Sequence, residues 1–127
     1  MRYYLHSSLV DYSKMELHNE YHWVENLLEH IKFPCHALLV ASSPDEIEKT
    51  RCYAQEIVDV MENHGLCLSG FDILDRNSAE RTKELVDKAD IIIAMGGHVP
   101  TQNAFFQEID LKKYLQEFCG IWIGNIF

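Results

Sequence analysis

The chain is poor in the residues that interrupt or staple a polypeptide. Six glycines and three prolines in 127 residues are too few for a collagen-like, linker-rich or low-complexity chain. The cysteines, Cys35, Cys52, Cys67 and Cys119, stand far apart in apolar settings such as Leu66-Cys67-Leu68. Without a close pair, neither a zinc site nor a disulfide framework is expected, and the four read as free, buried thiols. Basic charge is also short. Eleven Lys and Arg against 20 Asp and Glu leave a formal charge of -9, and no basic run could follow a phosphate backbone, which argues against nucleic acid as a partner. No apolar stretch approaches the roughly 20 residues of a membrane span, and Met1-Arg2-Tyr3-Tyr4-Leu5-His6 is too short and polar for a signal peptide. No membrane partner is expected, and the expected location is the cytoplasm.

What is present is an ordinary globular composition, 47% hydrophobic and 24% charged. The length suits one domain spanning 1–127, able to bury roughly two-thirds of its unfolded surface. Short aliphatic runs at Tyr3 to Ser7, His36 to Ser42, Leu66 to Leu74, Asp90 to Met95 and Gly120 to Gly124 have strand lengths. Between them lie amphipathic segments. Val24, Leu27, Leu28 and Ile31 fall on one helical face opposite Glu25, Asn26 and Glu29. A second helix is expected to open at the Ser43-Pro44-Asp45-Glu46 cap, to carry Ile47, Ala54, Ile57, Val58 and Met61, and to stop at Gly65. A third starts with Asn77 and Glu80 at capping-box spacing and runs to about Lys88. The fourth covers Thr101 to Phe118, with a break near Asp110.

Strands alternating with helices over short connections predict a three-layer α/β/α domain with a mainly parallel sheet. The run Ile91-Ile92-Ile93-Ala94 fits, because an apolar strand without polar alternation needs cover on both faces. Ligands of such sheets collect at the carboxyl ends of the strands. Here those ends carry Ser7 and Ser8, Ser42 and Ser43, Asp75 and Arg76, and Gly96-Gly97-His98.

A buried strand that runs into two glycines and then a helix lets backbone approach a ligand and leaves N–H groups for an anion. The Gly96-Gly97 pair alone fits an ordinary strand-to-helix turn equally well. Its surroundings are more specific. Ala89-Asp90-Ile91-Ile92-Ile93-Ala94-Met95-Gly96-Gly97-His98, followed by Thr101-Gln102 and Phe105-Phe106, resembles peptidase family S51, which includes aspartyl dipeptidase and cyanophycinase. The resemblance continues more loosely through Ala41-Ser42-Ser43-Pro44-Asp45, Phe71-Asp72-Ile73 and Gly120-Ile121-Trp122-Ile123-Gly124. It implies a sheet related to class I glutamine amidotransferases, a peptide-like substrate for the complete family member, and an oxyanion role for the glycine turn, so that Gly96, Gly97 and His98 are the oxyanion or substrate-binding candidates. His98, from its place at the crevice, reads first as a turn histidine bonded to backbone or water and second as a base or substrate contact. Met95 stands where the family has its first glycine, and His98 where Asn is common.

In that family the last strand feeds a Gly-x-Ser-x-Gly elbow that exposes the nucleophile. Here the sequence is Ile123-Gly124-Asn125-Ile126-Phe127. With Gly124 as the first elbow glycine, Ile126 holds the serine position, and its side chain has no atom that attacks a carbonyl. The family's histidine and acid lie beyond the serine. The sequence therefore reads as an incomplete domain, cut short or frameshifted after its fifth strand, with no catalytic residue, no cofactor and no metal. His18 and His22, one helical turn apart with Glu25 and Glu29 beyond, lack the His-Glu-x-x-His order and read as a solvated helix start.

Two alternatives stay open. One is a small flavodoxin-like nucleotide- or phosphate-binding module, although the chain lacks Gly-x-Gly-x-x-Gly after its first strand and a Walker lysine. The other is a non-catalytic protein that self-associates, as an oligomer, through an exposed C-terminal strand from Gly120 onward.

Overall fold

The computed structural model describes residues 1–5, 9–19 and 22–124. In chain order the elements are β1 (Arg2–Leu5), β2 (Val10–Asp11), β3 (Glu16–Leu17), α1 (Trp23–His30), β4 (Cys35–Val40), α2 (Ile47–Asn63) and β5 (Leu68–Leu74). A 3₁₀ turn (Ala79–Arg81) then leads into α3 (Thr82–Lys88), β6 (Ile91–Ala94), α4 (Val99–Glu108), α5 (Leu111–Leu115) and β7 (Ile121–Gly124). The five aliphatic runs form one parallel sheet in the order β1-β7-β6-β4-β5.

The two-residue period of a strand divides the core. Ala37, Leu39, Ile91, Ile93, Ile121 and Ile123 face α1 and α2, which contribute Trp23, Leu27, Ala54, Ile57, Val58 and Met61. Leu38, Val40, Ile92, Ala94 and Trp122 face α3, α4 and α5, which contribute Leu85, Val86, Phe105, Phe106, Leu111 and Leu115. Both faces are thus covered, and the domain is a three-layer α/β/α structure with a flavodoxin-like arrangement of layers. No helix among the described residues is long and apolar enough to cross a membrane.

Several local expectations need correction. Ser43 does not cap α2: the segment Ser43 to Glu46 closes a turn, with Glu46 N–H donating to the Ser43 carbonyl at 3.0 Å, and the helix begins at Ile47. The Asn77/Glu80 box does not form either. Asp75 takes over, accepting from the N–H groups of Asn77 at 2.9 Å and Ser78 at 3.2 Å. Leu28 is exposed, and α1 rests instead on Trp23, Val24 and Leu27. Of the free cysteines only Cys35 is buried; Cys52, Cys67 and Cys119 are exposed. Most importantly, the C-terminal strand is not an uncovered edge. β7 lies between β1 and β6 with all four residues buried, so the edges are β1 and β5. The strand on which self-association was expected to rest already has partners on both sides.

Candidate functional site

β4 and β6 are neighbours, but the chain leaves them in opposite directions: from β4 through α2 to β5, and from β6 through α4 and α5 to β7. Adjacent strands whose onward connections diverge open a crevice at their carboxyl ends. A crevice of about 480 Å³ lies at that point, lined on its polar side by Ser42, Ser43, Lys49, Thr50, Gly96, Gly97 and His98.

The glycine turn is held from below. Met95 N–H donates to the Val40 carbonyl at 3.0 Å, continuing the β4–β6 ladder one residue past the strand. The Met95 carbonyl accepts from the buried Gln102 side chain at 2.7 Å, and the Gly96 carbonyl accepts from Ser42 Oγ at 2.8 Å. With both carbonyls occupied, the donors remain: among the described residues nothing accepts from the N–H groups of Gly96, Gly97 or His98. They stand at the N-terminus of α4, where the helix dipole favours negative charge. Gly97 has φ of 155°, and a Cβ there would sit 2.7 Å from Ser42 Cβ and closer still to its hydroxyl. Ser42 and Gly97 therefore fit only as a pair, a small side chain on one strand end against no side chain on the next.

His98 is the N-cap residue of α4, exposed, with Nδ1 2.7 Å from Thr101 Oγ1. Ser42 is buried and spends its hydroxyl on Gly96. Ser43 offers its carbonyl to Thr50 Oγ1 at 3.2 Å. Neither serine is paired with His98; the hydroxyl His98 meets is that of the exposed Thr101, three residues on in α4. At the end of β7, Gly124 has φ of 136°, and a Cβ would meet Ala94 Cβ at 2.7 Å and the Ala94 carbonyl at 2.8 Å. That close approach sets the exit of β7 against the last residue of β6, beside the glycine turn. Ile126, two residues on, lies outside the described residues, as do Ser7 and Ser8.

Asp75 and Arg76 are not part of the crevice. Asp75 caps its own turn, and Arg76 binds Asp45 at 2.8 Å, pairs with Glu108 and covers the Phe105 ring. His18 and His22 do not share a helical face, since α1 starts only at Trp23, with His22 in a left-handed conformation before it. The His18 carbonyl instead accepts from Trp23 Nε1. No group of three or more potential metal ligands occurs among the described residues.

The sequence reading missed the apolar side of the crevice. Leu9, Val10 and Tyr12 come from the β2–β3 hairpin, and Tyr53 and Ile57 from α2. Tyr12 and Tyr53 pair at a centroid distance of 6.3 Å, with Lys49 Nζ 5.9 Å from the Tyr53 centroid. Burial first, then the Glu56 carboxylate and Tyr53, push the Tyr12 phenol above its ordinary value, so it stays a neutral hydroxyl near pH 7. The available signal was Tyr53, one turn from Lys49 and outside the aliphatic stripe of α2.

Fold and site together define a class: a parallel three-layer α/β/α domain with an anion-compatible crevice at its topological switch point. Nothing more specific comes from comparison, because no protein-family model, curated protein or solved structure matches the chain.

Proposed function

We propose that the chain carries the oxyanion side of an S51-like serine peptidase site, which binds a peptide-like ligand at the glycine turn, and that with Ile126 at the elbow's serine position it does not hydrolyse that ligand. The carrying observation is the turn itself. The Met95 and Gly96 carbonyls are engaged by Gln102 and Ser42, while the N–H groups of Gly96, Gly97 and His98, all three residues of the crevice lining, have no acceptor among the described residues. Donors fixed in this way suit a ligand carbonyl or carboxylate and would stabilise an oxyanion. The tight contact of Gly124 with Ala94 supports the same reading, since an elbow entering beside that turn needs a residue without a side chain. With Ile126 in the serine position the elbow supplies no nucleophile. Peptide-like substrate, hydrolase ancestry and a cytoplasmic setting belong to one proposal.

A serine-directed fluorophosphonate probe and Asp-initiated dipeptides test it. No labelling and no cleavage are expected; clear activity of the purified chain would refute the missing-nucleophile argument. The phosphate-binding alternative draws on Lys49 and the hydroxyls of Ser42 and Ser43 in the same crevice. Calorimetry with nucleotides and flavins separates the two, with no binding expected from the peptidase-like reading.

A further inference from the structure

Resting on the peptide-binding reading, we infer that the apolar side of the crevice, walled by Tyr12 and Tyr53, is a side-chain subsite that takes an aromatic or large aliphatic residue of the ligand. Two rings from elements far apart in sequence meet at the mouth of the crevice, Tyr12 being 46% exposed and Tyr53 40%. Exposed paired rings beside a cavity keep apolar surface in water that a ligand side chain would cover. Behind them Leu9, Val10 and Ile57 continue the apolar wall, and Ile93 and Met95 form buried floor.

The charge distribution points the same way. In a chain carrying -9, no Asp or Glu lines this crevice among the described residues, although the Glu56 carboxylate acts on Tyr12 from outside the lining. Its one lysine, Lys49, is 3.7 Å from Glu46 Oε2 and lies over the Tyr53 ring. An acidic side chain would have to compete with Glu46 for that ammonium, whereas an apolar one meets rings and aliphatic carbons directly. The crevice then divides its work: N–H groups at Gly96, Gly97 and His98 take the ligand's polar end, and the tyrosine wall selects the side chain beside it. The size, about 480 Å³, falls in the range of small-ligand sites.

Calorimetric titration with the dipeptides Ala-Ala, Phe-Phe and Asp-Asp tests the subsite. Phe-Phe is expected to bind about tenfold tighter than Ala-Ala, the worth of burying a ring against aromatic neighbours, and Asp-Asp no tighter than Ala-Ala. Tyr12→Ala and Tyr53→Ala are each expected to remove most of the Phe-Phe advantage over Ala-Ala, and Tyr53→Phe to retain it. Both positions are exposed, and circular dichroism checks that the variants remain folded. Equal affinity for Phe-Phe and Ala-Ala, or an advantage that survives both alanine variants, overturns the subsite but leaves the peptide-binding reading intact. Absence of binding by all three dipeptides overturns both.

Discussion

At the scale of single residues, the site depends on Ser42 and Gly97 being small together. Gly97→Ala brings a methyl group into Ser42 and is expected to cost about 1–3 kcal/mol by overpacking. Urea denaturation measures it, and Ser42→Gly in the same chain should recover part of the loss, because the two positions are in contact. Ser42→Ala alone removes the hydrogen bond to Gly96 and is expected to cost about 1 kcal/mol. A loss shared by Gly97→Ala and the double variant would separate backbone strain from the clash with Ser42.

A second residue-scale prediction concerns acid stability. Burial pushes the Asp72 carboxyl up, but hydrogen bonds from His36 at 2.7 Å and from Lys88, with their charges, outweigh it and leave Asp72 below its ordinary 3.8. A depressed carboxylate contributes stability that is present above its unfolded value and is lost as pH falls through the folded one. Asp72→Asn is therefore expected to flatten the fall in urea midpoint between about pH 5 and pH 3, relative to the unmodified chain. An unchanged slope would mean that the His36–Asp72–Lys88 group contributes little.

At the scale of elements, β7 is the strand whose position matters most. Trp122 is fully buried and meets Phe106 edge-on at 5.9 Å between centroids. Trp122→Ala is expected to cost about 3–5 kcal/mol, the value for a large aromatic removed from a packed core, measured by denaturant unfolding. A cost near zero would contradict an interior β7. The five strands were legible because each is an aliphatic run of the right length, and the α4–α5 break was legible at Asp110, which adopts a positive φ of 54°. The neighbours of β7 were not legible. Strand order is decided by the faces that helices cover, and β1, with exposed Tyr3 and Leu5, gives no local sign that it will pair with the last strand. The β2–β3 hairpin was invisible for another reason: two strands of two residues carry no period to detect.

At the scale of the whole molecule, thiol reactivity reports on the layers. Cys35 lies in the core, and its thiol is pushed up to about 11 by burial and by Asp90, whereas Cys52, Cys67 and Cys119 are exposed. Alkylation followed by mass spectrometry is expected to modify three cysteines in the native chain and a fourth only in denaturant. Rapid native modification of Cys35 would mean that the layer over β4 opens.

Of the candidate site, the sequence shows the place of the glycine turn in the fold. Gly96, Gly97 and His98 announce themselves by their place after a buried strand, and the structure puts them with Ser42 and Ser43 at one crevice. The tyrosine half was not readable, because it depends on a hairpin from the start of the chain meeting the exposed side of α2. We propose that this crevice binds a peptide and leaves it uncleaved. Proton NMR of a dipeptide such as Phe-Phe, followed over hours with the purified chain, tests that most directly. Broadened or shifted ligand resonances, weakened in Tyr53→Ala, with the peptide bond intact throughout, are predicted; free amino acids accumulating, or a ligand spectrum unchanged by the protein, would contradict the account.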